Sequence, residues 1–349
     1  MAAMTTRPYA DLTPDRMLDA LESVGLRGDG RFLALNSYEN RVYQVRLEDG
    51  STVVVKFYRP GRWTDAQIAE EHAFVEELAA REIPVVAPMR LPVADAASGA
   101  ASRAGTVAAE GRIPTLAHFQ GYRFAVYPRR GGRAPELDQP GTLERIGRFI
   151  GRIHGVGGTT TFVERPTLDV ETFGVEPREW LLANEFIPPD LLPAWSDITE
   201  RALQAVREAF ARAGDVRIRK LHGDCHAGNI LWTDDGPHFV DFDDARNGPA
   251  VQDLWMLLSG DRASMTRQMA ELLAGYEDFA EFDRRELALI EPLRTLRLLH
   301  YSAWIARRWD DPAFPAAFPW FGTQRYWQER VLEMREQVGA MGEPGIEGV

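Results

Sequence analysis

The chain has one cysteine, Cys225, in 349 residues. That rules out an intrachain disulfide and a structural zinc site built from cysteines. Lysine is nearly as scarce: Lys56 and Lys220 are the only two among 40 basic residues, so almost every positive charge is an arginine. Positive charge as a whole falls short, with a formal net charge of −12. This balance argues against nucleic acid or an anionic membrane surface as the main partner, although a small anion can still bind in a local basic pocket. No apolar run reaches the length of a bilayer span, and the opening MAAMTTRPYADLTPDR is too polar for a secretory leader, so the expected location is the cytoplasm. What the chain does have is 45% hydrophobic residues, enough for a large core arranged as roughly two domains.

Local patterns divide the chain unevenly. TPDRMLDALESVG, residues 13–25, reads as a capped helix with Thr13 at the N-cap, Pro14 in the first turn and Gly25 as the stop. RFLALNSYENRVYQVRLEDGSTVVVKFYR then alternates strand, polar turn, strand, Asp-Gly turn and strand, which predicts a β-meander. Residues 64–82 carry Ile68, Phe74, Val75 and Leu78 at helical spacing. Residues 94–112 are rich in Ala, Gly and Ser and read as a surface insertion. GYRFAVYP, residues 121–128, is a further strand, and RRGGR after it a connector. Beyond it the apolar spacing is mostly helical, apart from short pieces around 220–242. The expected class is therefore α+β: a small β-sheet lobe over 1–128 and a larger, mainly helical lobe over 129–349.

Two places carry chemistry. Lys56 ends the apolar run TVVV, where it either snorkels to water or serves as a compact charge for phosphate oxygens and a carboxylate. The helix that follows offers Glu70 and Glu71 and favours the second reading. LHGDCHAGNILW, residues 221–232, gathers His222, Asp224, His226 and Asn229, and VDFDD downstream adds Asp241, Asp243 and Asp244. A zinc hydrolase could use these histidines and aspartates, but it leaves Asn229 and the lysine-bearing lobe without a role. Phosphoryl transfer accounts for more of them, since it needs a carboxylate for the attacking hydroxyl and oxygen ligands for magnesium. Asp224 and Asn229 have the five-residue separation of base and metal ligand in the protein-kinase catalytic loop, and Asp241 stands on a short strand where a second metal carboxylate is wanted.

HGDCHAGNILW with FVDFDDARNGPAVQDLWMLL resembles the aminoglycoside-phosphotransferase-like branch of the protein-kinase-like fold. Within it, SYENRVYQV, VVKFYRPGRW, EEHAF, FAVYP, IGRIHG, VEPREWL, IEPLRTLRLLHYSAWIARRW and DPAFPAAFPW resemble the bacterial stress response kinase A family, described as serine/threonine protein kinases. The likeness implies a bilobal protein-kinase-like fold and an ATP- and Mg²⁺-dependent enzyme. In it Asp224 is the catalytic base, in the loop 222–229, and Asn229 and Asp241 hold magnesium, the latter from segment 239–244. Lys56 holds the α- and β-phosphates and pairs with Glu71 in preference to Glu70. The turn NSYENR, with Asn36, Ser37 and Asn40, replaces the glycine-rich loop, and adenine lies against the hinge from Val126 and Tyr127 to Arg129. The implied acceptor is a serine or threonine of a protein, the chain itself included, acted on by a monomer.

Departures from the protein-kinase pattern narrow the expectation. Gly223 replaces the arginine that senses a phosphorylated activation loop, and no A-P-E segment follows Asp241, so activation-loop phosphorylation is not expected. DFD replaces DFG, which makes Asp243 either an extra carboxylate near magnesium or an acid bonded within the loop. Asp253 resembles the aspartate that braces the catalytic loop. His222 and His226 read as loop-bracing groups, Cys225 as a buried thiol rather than a redox switch, and Trp304, Trp309, Phe314, Phe318, Trp320 and Phe321 as core rather than an acceptor site. A kinase of small amino alcohols, sugars or aminoglycosides stays open, since acidic Asp243 and Asp244 would suit a cationic acceptor. A non-catalytic nucleotide-binding regulator and a metal hydrolase rank below it.

Overall fold

A computed structural model describes residues 8–92 and 114–349; the expected 94–112 insertion lies outside the described residues. The chain folds as two compact units. The first takes in the N-terminal part to Gly132 together with His238–Asp243, and the second holds Arg133–Pro237 and Asp244–Val349.

In the first unit, helix α1 (Pro14–Glu22) starts where Thr13 Oγ1 accepts the Arg16 N–H at 3.3 Å. Strands β1 (Gly28–Ala34), β2 (Arg41–Leu47) and β3 (Thr52–Phe57) form the meander. The β2–β3 turn closes where Asp49 accepts from the Ser51 N–H at 2.8 Å and Gly50 takes φ +85°. Helix α2 (Asp65–Ala80) begins with a capping box between Thr64 and Gln67. Strands β4 (Ala117–Phe119) and β5 (Tyr122–Pro128) complete an antiparallel sheet of order β1-β2-β3-β5-β4.

Alternation along β3 decides where the lysine points. Val53, Val55 and Phe57 pack with Met17, Leu21, Phe124 and Val126 in one core. Lys56, between them, therefore projects from the other face, with its Nζ 5.7 and 5.9 Å from the ring centres of Tyr58 and Tyr127. The distant segment joins this unit by backbone and ring contacts: Phe239 N–H donates to Pro84 O at 2.8 Å, Val86 N–H donates to Phe239 O at 3.2 Å, and Phe242 lies edge-on to Phe74 at 6.2 Å.

The second unit is mainly helical. Helix α3 (Thr142–Gly157) is followed by a π-helical turn at Glu171–Val175, then α4 (Glu176–Ala183) and α5 (Leu192–Ala213). Short strands come next: β6 (Arg219–Leu221), β7 (Ile230–Thr233), β8 (Gly236–Phe239), which carries the chain back to the first unit, and β9 (Arg246–Gly248), paired antiparallel with β6. Helices α6 (Gln252–Trp255), α7 (Arg262–Tyr276), α8 (Ile290–Ala306), α9 (Ala313–Ala317) and α10 (Gln324–Gly342) complete it. Helices α3 and α7 touch backbone to backbone at glycines: a Cβ on Gly151 would lie 2.4 Å from the Tyr276 carbonyl oxygen, and one on Gly275 1.9 Å from that of Glu144. Five of the six aromatic residues expected to be core are so, and Trp320 departs from the expectation. Phe314, Phe318 and Phe321 are buried with Trp195 and Trp327, and Trp304 and Trp309 pack against them, while Trp320 is exposed. Among the described residues no helix is long and apolar enough to cross a membrane.

Candidate active site

The first unit brings together Lys56, Asp241 and Asp243. Lys56 Nζ donates to Asp241 Oδ1 at 2.7 Å and lies 3.7 Å from Asp243 Oδ1. Burial alone would pull this ammonium down, but the charges of Asp241 and Asp243, with Tyr127 and Glu71 beyond them, hold it well above its usual range. Glu71 is buried on α2 beside His72. His72 is itself fixed, with Nε2 2.7 Å from the Tyr58 hydroxyl and Nδ1 2.8 Å from that of Thr115.

The two aspartates of the DFD segment have different surroundings. Asp241 has a positive φ of 61°, a conformation non-glycine residues seldom adopt, and its side chain is 50% exposed. Asp243 is buried, and its carboxylate accepts from Arg62 and, at 3.1 Å, from the Asn40 amide. Arg62 also lies 3.8 Å from Glu39, which pairs with Arg59 at 2.9 Å. Asp243 is thus a bonded anchor of the loop.

The turn that replaces the glycine-rich loop sits between β1 and β2. Asn36 is exposed and Ser37 half-buried. Asn40 is buried, with its amide nitrogen on Asp243 and its oxygen accepting the Arg59 N–H at 3.0 Å. Its side chain therefore fixes the loop and is already committed to protein partners. The Val126 side chain lies in the core and its carbonyl accepts the Met89 N–H at 2.7 Å, while the Tyr127 hydroxyl is 3.0 Å from that of Tyr58.

In the second unit, the loop after β6 holds Asp224 and Asn229. Asp253 accepts the N–H groups of His222 at 2.7 Å and Gly223 at 2.8 Å, and is itself 3.0 Å from His154 Nε2. His154 continues to the Tyr276 hydroxyl at 3.1 Å. Gly223 takes φ +86°, and a Cβ there would stand 2.1 Å from the Asp244 carbonyl oxygen. The position thus excludes any side chain, an arginine included. The Asn229 amide nitrogen donates to the Asp224 carbonyl at 3.0 Å, which leaves the amide oxygen as the acceptor end of the side chain.

The Asp224 carboxylate meets a guanidinium and an imidazole. Arg297 Nη1, from α8, donates to Oδ1 at 2.7 Å, and His226 Nε2 lies 3.5 Å from Oδ2. Burial works to raise its pKa, but the hydrogen bond from His226 and the charge of Arg297 outweigh it and bring it down to about 2. The neighbouring Asp244 is paired with Arg246 at 2.8 Å. The acidic surface expected from Asp243 and Asp244 is therefore offset, because each carboxylate has an arginine against it. Asp224 and Asn229 lie in one unit and Lys56, Glu71, Asp241 and the turn residues in the other.

Sequence reading missed Arg297, Arg62 and Arg246. The available signal was an arginine on α8, in step with Arg294 and His300 at three-residue spacing. The zinc reading loses ground on geometry: among the described residues no three His, Cys, Asp or Glu side chains converge as a metal site requires. Magnesium makes a smaller demand on the protein, since phosphate oxygens and water complete its shell. Carboxylate and amide oxygens are the hard donors it takes.

The family model described as the phosphotransferase enzyme family matches residues 31–290. Stress response kinase A of Escherichia coli K12 is 45% identical over 97% of this chain and 96% of its own. A Salmonella typhimurium protein named serine/threonine protein kinase RdoA is 44% identical over the same spans. Among solved structures, amicoumacin kinase hAmiN, in complex with AMP-PNP, Ca²⁺ and Ami, superposes with a TM-score of 0.66 at 19% identity, covering 97% of each chain. A microcompartment-associated aminopropanol kinase does so at 0.65 and 16%, covering 95% of this chain and 97% of its own. The α+β fold is thus the protein-kinase-like one that such phosphotransferases share, and the chain belongs to the phosphotransferase enzyme family, in the group of the stress response kinases A.

Proposed function

We propose that the chain transfers the γ-phosphoryl group of ATP to a serine or threonine hydroxyl of a protein, its own chain included, with magnesium as the resident metal. The observation that carries this most directly is the Lys56–Asp241 pair. A buried ammonium holds one oxygen of a half-exposed carboxylate and leaves the rest of that carboxylate for a hard cation. Asn229 and Asp241 are the magnesium ligands. Bound there, the metal supplies charge neutralisation for the phosphates.

Lys56, kept fully charged, takes the α- and β-phosphate oxygens, with Glu71 behind it. Asn36 and Ser37 contact phosphate, while Asn40 holds their loop in place through Asp243. Adenine lies against the hinge from Val126 and Tyr127 to Arg129, with backbone groups reading its edge. Asp224 receives the acceptor hydroxyl. At a pKa of about 2 it is a weak base, but it is ionised at every physiological pH. In a loose phosphoryl-transfer transition state, orientation of the hydroxyl counts for more than early removal of its proton.

A second reading keeps the chemistry and changes the acceptor to a small hydroxyl compound, as the names of the amicoumacin and aminopropanol kinases state for those proteins. The arginines on Asp243 and Asp244 weigh against a cationic acceptor of that kind. The deciding experiment is transfer of labelled γ-phosphate from Mg-ATP to generic protein acceptors and to a panel of small alcohols, with wild type, Asp224→Ala, Asp241→Ala and Lys56→Arg in parallel. Label on protein is expected, with each variant slower by at least about a hundredfold. Label only on small compounds selects the second reading, and wild-type turnover by Asp241→Ala removes the metal assignment.

A further inference from the structure

The proposed base is ion-paired before any acceptor arrives, and the partner's position restricts what that acceptor can be. Arg297 leaves α8 with its side chain 40% exposed, and its contact with Asp224 uses one donor nitrogen. A guanidinium carries five N–H donors in a planar fork, so most of the fork remains for another anion. Asp244 cannot supply uncompensated negative charge, because Arg246 covers it with Nη2 on its carboxylate and Nε on its carbonyl, both at 2.8 Å. Asp224 and Asp244 thus each face a guanidinium, so neither presents an uncompensated charge to an amine.

The fork stands on a stiff support. His300, three residues beyond Arg297 on α8, stacks on Phe173 of the π-helical turn with ring centres 4.2 Å apart and planes 11° from parallel. The Arg246 guanidinium lies 4.4 Å from the centre of the same ring. Aromatic stacking of this kind fixes side-chain direction at small entropic cost, and π-helical turns recur at functional sites.

We infer that Arg297 is a specificity-determining residue: it selects serine or threonine hydroxyls that have a carboxylate side chain close by in an acidic peptide segment, and it turns away cationic acceptors. This rests on Asp224 being the group that receives the acceptor hydroxyl. Besides accepting the hydroxyl, Asp224 then anchors the cation that holds the acceptor's neighbouring acid.

The test measures kcat and KM of the full chain with Mg-ATP for three acceptors: a peptide with one serine flanked by aspartates, the same peptide flanked by arginines, and ethanolamine. Wild type, Arg297→Ala, Arg297→Lys and Asp224→Ala are compared, with thermal melts to establish folding. Wild type is expected to favour the acidic peptide over the basic one by about tenfold in kcat/KM, the worth of one charge-assisted contact. Arg297→Ala is expected to bring that ratio near unity, mainly through a higher KM for the acidic peptide. Arg297→Lys keeps part of the preference, since it retains the charge and loses the fork. If Arg297→Ala fails to fold, Arg297→Lys and the wild-type ratio still decide the matter.

A wild-type preference for the basic peptide or for ethanolamine overturns the inference, as does an unchanged ratio in a folded Arg297→Ala. In those cases an inactive Asp224→Ala leaves the kinase reading standing. Persistent transfer by Asp224→Ala, or none by wild type to any acceptor, removes that reading and the inference with it.

Discussion

Replacing Gly151 by alanine isolates one constraint on the loop that holds Asp224. Helix preference alone favours the change by about 0.5–1 kcal/mol, because alanine loses less backbone entropy than glycine. Packing opposes it. The new Cβ would stand 2.4 Å from the Tyr276 carbonyl oxygen, about 1 Å short of the 3.4 Å at which ordinary contact begins. The obstacle is backbone, so α3 and α7 must part, and the buried Ile146, Ile150, Leu272 and Leu273 lose contact with them. Overpacking of this kind costs about 1–3 kcal/mol, and a rigid neighbour places it at the upper end. The net expectation is a loss of about 2 kcal/mol, or a fall in Tm of roughly 4–8 °C for a unit of about 200 residues. Activity should fall as well, since α3 carries His154, which is bonded to the Asp253 that holds the His222 and Gly223 N–H groups. The assay is chemical and thermal denaturation beside kcat, with Gly339→Ala as the control. Gly339 lies exposed in α10 with nothing within 4 Å of the place an added Cβ would take, and alanine there should stabilise slightly. A Gly151→Ala protein as stable and as active as wild type would refute the claim that close helix approach positions the loop.

Two further outcomes follow from buried groups of the second unit. Glu286 is fully buried, accepts the Val251 N–H at 2.9 Å and lies 4.0 Å from Arg219; burial pushes its carboxyl up to about 7 against the pull of both partners. The folded state therefore binds this proton more tightly than the unfolded chain does. Its contribution is complete below about pH 4.5 and declines as pH rises through about 7, by about 3 kcal/mol in all. Glu286→Gln should flatten urea stability across that window, and identical profiles for the two proteins would refute the assignment. Cys225 is buried, and burial with the nearby Asp253 and Asp224 charges pushes its thiol up. It should resist alkylation until the protein unfolds, and rapid labelling of native protein would reopen the redox reading.

The fold class was legible because the signals were local. The Asp-Gly turn, the Thr13 cap and the apolar run TVVV each act over a few residues, and the structure has a turn, a helix start and a strand at those places. Lys56, Asp224, Asn229 and Asp241 stood out by residue type and spacing. Their partners did not, because pairing across 73 residues for Arg297 and Asp224, or 181 for Arg62 and Asp243, leaves no periodic mark in a chain. Asp243 shows the limit: sequence offered a metal ligand or a loop-bonded acid, and only its burial against Arg62 and Asn40 distinguishes them. Gly223 shows the converse. Its missing side chain was visible at once, but the Asp244 carbonyl that excludes one was not.

The inclusion of His238–Asp243 in the first unit has a consequence for how the protein is made. A ribosome that has released residues 1–132 has delivered the sheet and α2 but neither Phe239, which bridges to Pro84 and Val86, nor the two aspartates beside Lys56. Until about a hundred more residues emerge, that lysine faces burial without its counter-charges, a state that burial strongly disfavours. The small unit therefore completes its folding late in synthesis. Truncations that end before residue 243 should expose its sheet to proteolysis, so the same stretch that carries the proposed metal carboxylate also serves as a checkpoint on an intact chain.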